Sequence, residues 1–133
     1  MNALSIRRAA PHVIFVLVLC FFLTANIYAD QEFYGIYSNM KAVEGEFSGF
    51  EFFIVPSNDG DFLIFQEAEG WPKKPLILQV KLGGAKISEH NLVRFTHPQM
   101  GSFEGRIEGE SLIGEFTEMK YEIELTKGKS IWQ

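Results

Sequence analysis

Met119-Lys120-Tyr121-Glu122-Ile123-Glu124-Leu125-Thr126 is the stretch that decides the fold, because it alternates without a break. Met119, Tyr121, Ile123 and Leu125 fall on one face, Lys120, Glu122, Glu124 and Thr126 on the other. Successive side chains of an extended chain point to opposite sides, so this pattern describes a strand with one dry and one wet face. Leu76, Leu78, Val80 and Leu82 stand opposite Ile77, Gln79 and Lys81 in the same way. In residues 102–108, Phe103, Gly105 and Ile107 oppose Glu104, Arg106 and Glu108. Residues 92–96 and 112–117 are shorter versions, and residues 33–38 open the sheet. Beyond Asp30 no segment carries a 3.6-residue apolar period.

Turn residues punctuate these runs. Ser57-Asn58-Asp59-Gly60 joins two strands, Gly83-Gly84 ends another, and Gly109-Glu110-Ser111 makes a tight link. Gly70-Trp71-Pro72-Lys73-Lys74-Pro75 is expected to be a longer loop, since proline cannot serve a central strand. About eight strands at this spacing predict an all-β domain, with short links favouring antiparallel neighbours.

The hairpin of residues 50–55 and 62–67 is apolar on both faces. Phe50, Phe52, Ile54, Phe62 and Ile64 are expected inside. Phe53, Val55, Leu63 and Phe65, with Glu51 and Glu67 at the margins, are expected outside. That outer set is either covered by residues 39–46 or left as a patch for a protein partner or a second copy.

The N-terminus reads as an export signal. Arg7 and Arg8 precede residues 13–25, a run in which only Thr24 is polar, shorter than the ~20 residues of a membrane span. Leu19 before Cys20 does not suit lipoprotein acylation, and Ile6 separates Ser5 from the arginine pair, unlike twin-arginine signals. Cleavage after Ala29, with Ala25 as a second site and an uncleaved anchor as the alternative, assigns residues 1–29 to the signal peptide and 30–133 to one domain. The mature chain then has 10 Lys+Arg against 17 Asp+Glu, a net charge of −7, and no stable membrane anchor. Its only cysteine leaves with the signal, which excludes disulfides, thiolate metal sites and cysteine nucleophiles. The acidity and the lack of a basic run beyond Lys73-Lys74 exclude nucleic acid as a partner.

Gly35-Ile36-Tyr37 resembles the G-x-W opening of lipocalin-like barrels, with tyrosine for tryptophan. Phe103-Glu104-Gly105-Arg106-Ile107 followed by Leu112-Ile113-Gly114-Glu115-Phe116 resembles the F-x-G-x-I and L-x-G-x-F pair of small exported bacterial β-barrel domains, free-standing or hydrolase-associated. The ending Leu125-Thr126-Lys127-Gly128-Lys129-Ser130-Ile131-Trp132 is similar to their closing L-x-R-x-x-S-x-W, with Lys127 in place of arginine. The resemblance implies an antiparallel up-and-down, lipocalin-like barrel of about eight strands. It transfers no catalytic residues. Gly105 and Gly114 inside strands fit sharp coiling or the close approach of a side chain across a narrow barrel.

No catalytic constellation emerges. Gly109-Glu110-Ser111-Leu112-Ile113-Gly114 is one residue too long for a nucleophile elbow, and Gly101-Ser102-Phe103-Glu104-Gly105 misplaces its serine. His90 and His97, with Glu89 or Glu104, lack metal-ligand spacing and read as rim histidines with ordinary hydrogen bonds. Glu104, Glu108, Glu122 and Glu124 read as a solvated surface, leaving the inner face without carboxylates. The aromatics are the functional lead. Phe52, Phe62, Phe95 and Phe103, with Phe116 and Tyr121, form either a packed core or the lining of a small apolar-ligand pocket. Trp71 is a lid, a partner anchor or a rim plug, and Trp132 a plug at the barrel end.

The expectation is an exported periplasmic or extracellular, non-catalytic binding protein without cofactor or metal. It would bind a small apolar ligand inside, or an envelope protein (or a second copy) through Phe53, Val55, Leu63 and Phe65. An accessory or inhibitory protein acting on an envelope or secreted enzyme is the alternative, and a hydrolase of unrecognised type the third.

Overall fold

The computed structural model describes residues 33–133. The expected export signal and cleavage site fall outside the described residues. Nine strands follow in chain order: β1 (Gly35–Ser38), β2 (Lys41–Val43), β3 (Glu46–Val55), β4 (Phe62–Pro72), β5 (Leu76–Leu82), β6 (Leu92–His97), β7 (Gly101–Glu108), β8 (Ser111–Phe116) and β9 (Tyr121–Gly128). A single 3-10 turn, Ile87–Glu89, interrupts the β5–β6 link.

Consecutive strands from β3 to β9 pair antiparallel. Short β1 uses both of its edges, pairing with β9 on one side and β3 on the other, and so closes the sheet. The result is an antiparallel up-and-down barrel of eight strands, β1 and β3–β9, with the short β2 left as an edge beside β3. The residues 39–46 do not fold over the hairpin face. They form β2, which extends β3 through a two-residue turn at Glu44-Gly45, both with positive φ (52° and 87°).

The alternating runs lie where their periodicity puts them. Phe103, Ile107, Leu112, Phe116, Ile123 and Leu125 are buried, and the intervening Glu104, Arg106, Glu108, Glu115, Glu122 and Glu124 are exposed. Met119 belongs instead to the turn before β9, and Tyr121 sits half-exposed at the mouth, its ring edge against Phe50. Gly105 and Gly114 face each other across β7 and β8 beneath the Phe103 ring. A Cβ on Gly105 would come within 2.7 Å of that ring, and one on Gly114 within 2.5 Å of the Gly105 Cα. The side chain that approaches these glycines comes from β7 itself, two residues before Gly105, and not from across the barrel as the sequence reading expected.

The β3–β4 hairpin reverses one expectation. Val55 pairs with Phe62, so Phe52 faces Phe65 and Ile54 faces Leu63. Opposed residues of an antiparallel pair share a face. Leu63 and Phe65 therefore point inward and are buried, while Phe62 and Ile64 point outward beside Val55 and Phe53. The inner assignment of Phe62 and Ile64 and the outer one of Leu63 and Phe65 are corrected together: the phase of β4 is shifted by one residue. Glu67 moves with Phe65 to the inner side. The expected long loop also shrinks, because β4 runs through Pro72 and leaves only residues 73–75 as connection.

Candidate functional site

Phe52, Phe65, Phe95, Phe103 and Phe116 meet around the barrel axis. Their centroids lie between 4.7 Å, for stacked Phe95 and Phe103, and 6.3 Å, for edge-on Phe65 and Phe116. All five are buried, each contributing about 1.5–3 kcal/mol of burial energy. Of the residues expected to line a ligand pocket, Phe52, Phe95 and Phe103 come together as packed core. Phe62 and Trp71 do not join them: Phe62 is on the outer face at 37% exposure, and Trp71, at the end of β4, is 74% exposed and plugs nothing. Phe95 and Phe103 do edge an outer cleft of about 520 Å³, where β5 and β6 stay paired only over Val80, Lys81 and Leu82.

The expected partner surface is split as well. Leu63 and Phe65 are in the core, whereas Phe53 remains on the outer face at 40% exposure, with Val55 half-buried beside it. The register assembles a different patch. Ile36, Phe53, Ile64 and Ile77 form one outward row across β1, β3, β4 and β5, with Ile77 72% exposed. Val55 and Phe62 flank it in the next row, ending at Gln79. Across these strands the two rows contain no ionisable side chain. Ile36, Ile64 and Ile77 were missed because each sits in a run whose other face is also apolar or whose phase only pairing fixes.

Below this band the outer face is covered by the C-terminus. Ser130 Oγ donates to Glu51 Oε1 at 2.7 Å, and the Ile131 amide donates to Glu51 Oε2 at 3.3 Å. Trp132 donates its indole N–H to Gln66 Oε1 at 3.1 Å and lays its ring 4.8 Å from that of Phe47. Glu51, on the wet side of β3, is only 7% exposed as a result. Trp132 is therefore no barrel plug: it clasps the outside of β3 and β4, at 47% exposure.

One mouth of the barrel carries charge. Glu67 projects inward from β4 and accepts from Lys73 Nζ at 2.8 Å, with Glu69 3.7 Å from the same ammonium. The hydrogen bond to Glu67 raises the Lys73 pKa above its ordinary value. The inner face does carry a carboxylate, contrary to the sequence reading, because Glu67 followed β4 into the new phase. Across the mouth His97 ends β6 at 4% exposure, its ring 4.6 Å from Phe65. Its Nδ1 accepts from the amides of Gln99 and Met100, both at 3.1 Å. Desolvation is the main cause of a lowered His97 pKa, with Glu67 opposing it and Lys73 adding to it. His90 is at the other end of β6, exposed, its Nδ1 2.6 Å from the Ile87 carbonyl. Among the described residues no group of three or more His, Cys, Asp or Glu is placed to hold a metal ion.

Fold and site together define a closed antiparallel barrel with an aromatic-filled interior, an uncharged apolar outer band and one charged mouth. Comparisons with family models, with curated proteins and with solved structures give no match to this chain.

Proposed function

We propose that this is an exported, non-catalytic binding protein of lipocalin-like type that acts through its outer surface on a protein partner. The observation carrying this reading is the uncharged row Ile36, Phe53, Ile64 and Ile77 on the outside of a barrel whose inside is occupied by its own phenylalanines. The lipocalin-like assignment draws support from the residues behind the resemblance, since Gly105, Gly114, Ser130 and Trp132 each hold a specific contact. Export rests on the leader sequence.

The occupant of the band is another envelope protein bearing an apolar patch with basic surroundings. With the leader removed, the chain has 10 Lys+Arg against 17 Asp+Glu, a net charge of −7. Like charge works against a second copy and against an anionic membrane, and favours a partner of opposite sign. A second reading, an accessory or inhibitory protein acting on an envelope enzyme, draws on the exposure of Trp71, a residue type that anchors interfaces.

Phe53→Glu combined with Ile77→Glu tests the proposal, since both side chains are exposed and the barrel should keep its stability within about 1 kcal/mol. The wild type is expected to be monomeric by light scattering and to retain from envelope extract a protein with a basic-rimmed apolar patch that the variant loses. A dimer dissolved by the same substitutions would reassign the band to a second copy. Retention unaffected by them, or a Trp71→Ala variant that alone loses the partner, would refute the band as the docking face.

A further inference from the structure

The barrel wall parts between β5 and β6. β5 gives its two halves to different neighbours, residues 76–79 pairing with β4 and residues 80–82 with β6. β6 runs on through Thr96 and His97, but the ladder between the two strands stops at Val80 and Phe95. Two clefts lie along the parting. One, of about 520 Å³, has Gln79 and Thr96 in its walls, and the other, of about 300 Å³, has Leu76, His97 and Pro98.

Backbone direction shows what the parting presents. Val80 donates its amide to the Asp61 carbonyl on the β4 side, and Gly83 donates to the Leu92 carbonyl on the β6 side. Successive residues of an antiparallel strand turn their amides to alternate neighbours, so Ile77 and Gln79 turn theirs toward β6. No backbone partner meets them there among the described residues. Such an edge, hydrated in the free protein, is a template for another strand. Beneath it Leu76 and Leu78 pack against the core yet stay only partly buried, unlike the inward Val80, Phe95 and Phe103 of the paired wall. The free edge of β2 lacks this floor, since all three of its residues are exposed.

We propose that the parted wall receives one extended segment of a protein partner, which adds a short strand against Ile77 and Gln79. One side chain of that segment lies outward beside Ile77, the end of the apolar row, and the next lies inward over Leu76 and Leu78. The alternating N–H and C=O groups of the edge are matched by another backbone, which makes the occupant a peptide. β6 stands on the far side of the gap, so a single strand fits and the edge of a second folded copy does not. The proposal rests on the outer-band reading for its partner and adds how that partner is gripped.

The probe is an acetylated, amidated pentapeptide alternating valine and threonine, titrated into the protein and followed by amide NMR. Saturable shifts and slowed hydrogen exchange are expected at Ile77 and Gln79, with the already bonded Val80 amide protected throughout. The same peptide N-methylated at every second amide should bind about fivefold more weakly or worse, the usual worth of a lost hydrogen bond. Gln79→Pro removes one edge N–H without touching a β4 bond, and should weaken the peptide about fivefold, whereas Gln79→Ala should leave it unchanged. If Gln79→Pro does not fold, the methylated peptide and the exchange pattern of the wild type decide. No saturable shift, equal binding of the methylated peptide, shifts confined to Lys41–Val43, or equal effects of the two Gln79 variants would each overturn the proposal. An envelope protein retained by Gln79→Pro but lost by Phe53→Glu would sink strand addition and leave the band standing. Peptide binding at Ile77 with no envelope protein retained would do the reverse.

Discussion

The outward faces of β7–β9 and of β3–β4 belong to one sheet, yet only the first can be read in advance. On β7–β9 the outward Glu104, Arg106, Glu108, Ser111, Glu115, Glu122, Glu124 and Thr126 are charged or hydroxylic, with Ile113 the exception, so alternation has contrast and the phase is fixed by composition. On β3–β4 both phases are apolar. Period two then says strand but is silent on which side faces in, and the register comes from pairing instead. Val55 meeting Phe62 across the turn sets nine residues of β4 at once. The lesson is that amphipathic contrast, rather than hydrophobicity, encodes the inner face.

The sharpest way to break this comparison is to truncate β4 in each phase. Phe65→Ala should cost about 3–5 kcal/mol, because the ring is buried among Phe52, Phe95 and Phe116. Phe62→Ala should cost about 1 kcal/mol or less, since that ring is on the outer face. Urea unfolding of the two variants ranks them, and the opposite order would restore the phase expected from the sequence.

Gly114→Ala examines the region that was legible. The added methyl would meet the Gly105 Cα at 2.5 Å and the Glu104 carbonyl at 2.6 Å, both backbone atoms that no rotamer change can move aside. A loss of about 2–3 kcal/mol is expected. Gly128→Ala, with nothing within 4 Å, should stay within about 0.5 kcal/mol in the same denaturation series. Similar losses for both would mean that Phe103 does not lie over the glycine pair.

Strand existence and antiparallel order followed from residues such as Ile123 and Leu125, whose neighbours are acids. The candidate sites were less legible, for reasons of the same kind. The outer band depends on Ile36, Phe53, Ile64 and Ile77 falling in one row, which is a property of three registers and of no single run. The clasp depends on Glu51 meeting Ser130 from 79 positions away. At the charged mouth, Glu67 needed the corrected phase, while His97 could have been placed by extending the 93, 95 alternation of β6 one step further, to the inward side.

His97 supplies the smallest expected effect and sets the mouth apart from the acidic outer face. Burial lowers its pKa in the folded chain below the ordinary 6.5, so as the medium acidifies the unfolded chain takes up this proton first. Its contribution to stability is thus fully present above about pH 7 and declines as pH falls through 6.5 toward the folded value. Protonation at Nδ1 would also displace the Gln99 and Met100 amides. The facing groups work in both directions, Glu67 on β4 favouring the charged ring and Lys73 opposing it. Urea midpoints measured between about pH 7.5 and 5, above the range where most carboxylates titrate, should fall for the wild type. His97→Asn keeps an acceptor for the turn amides without titrating, so it should be less stable at pH 7.5 but give a flatter profile. An equally steep profile in that variant would remove His97 from the account.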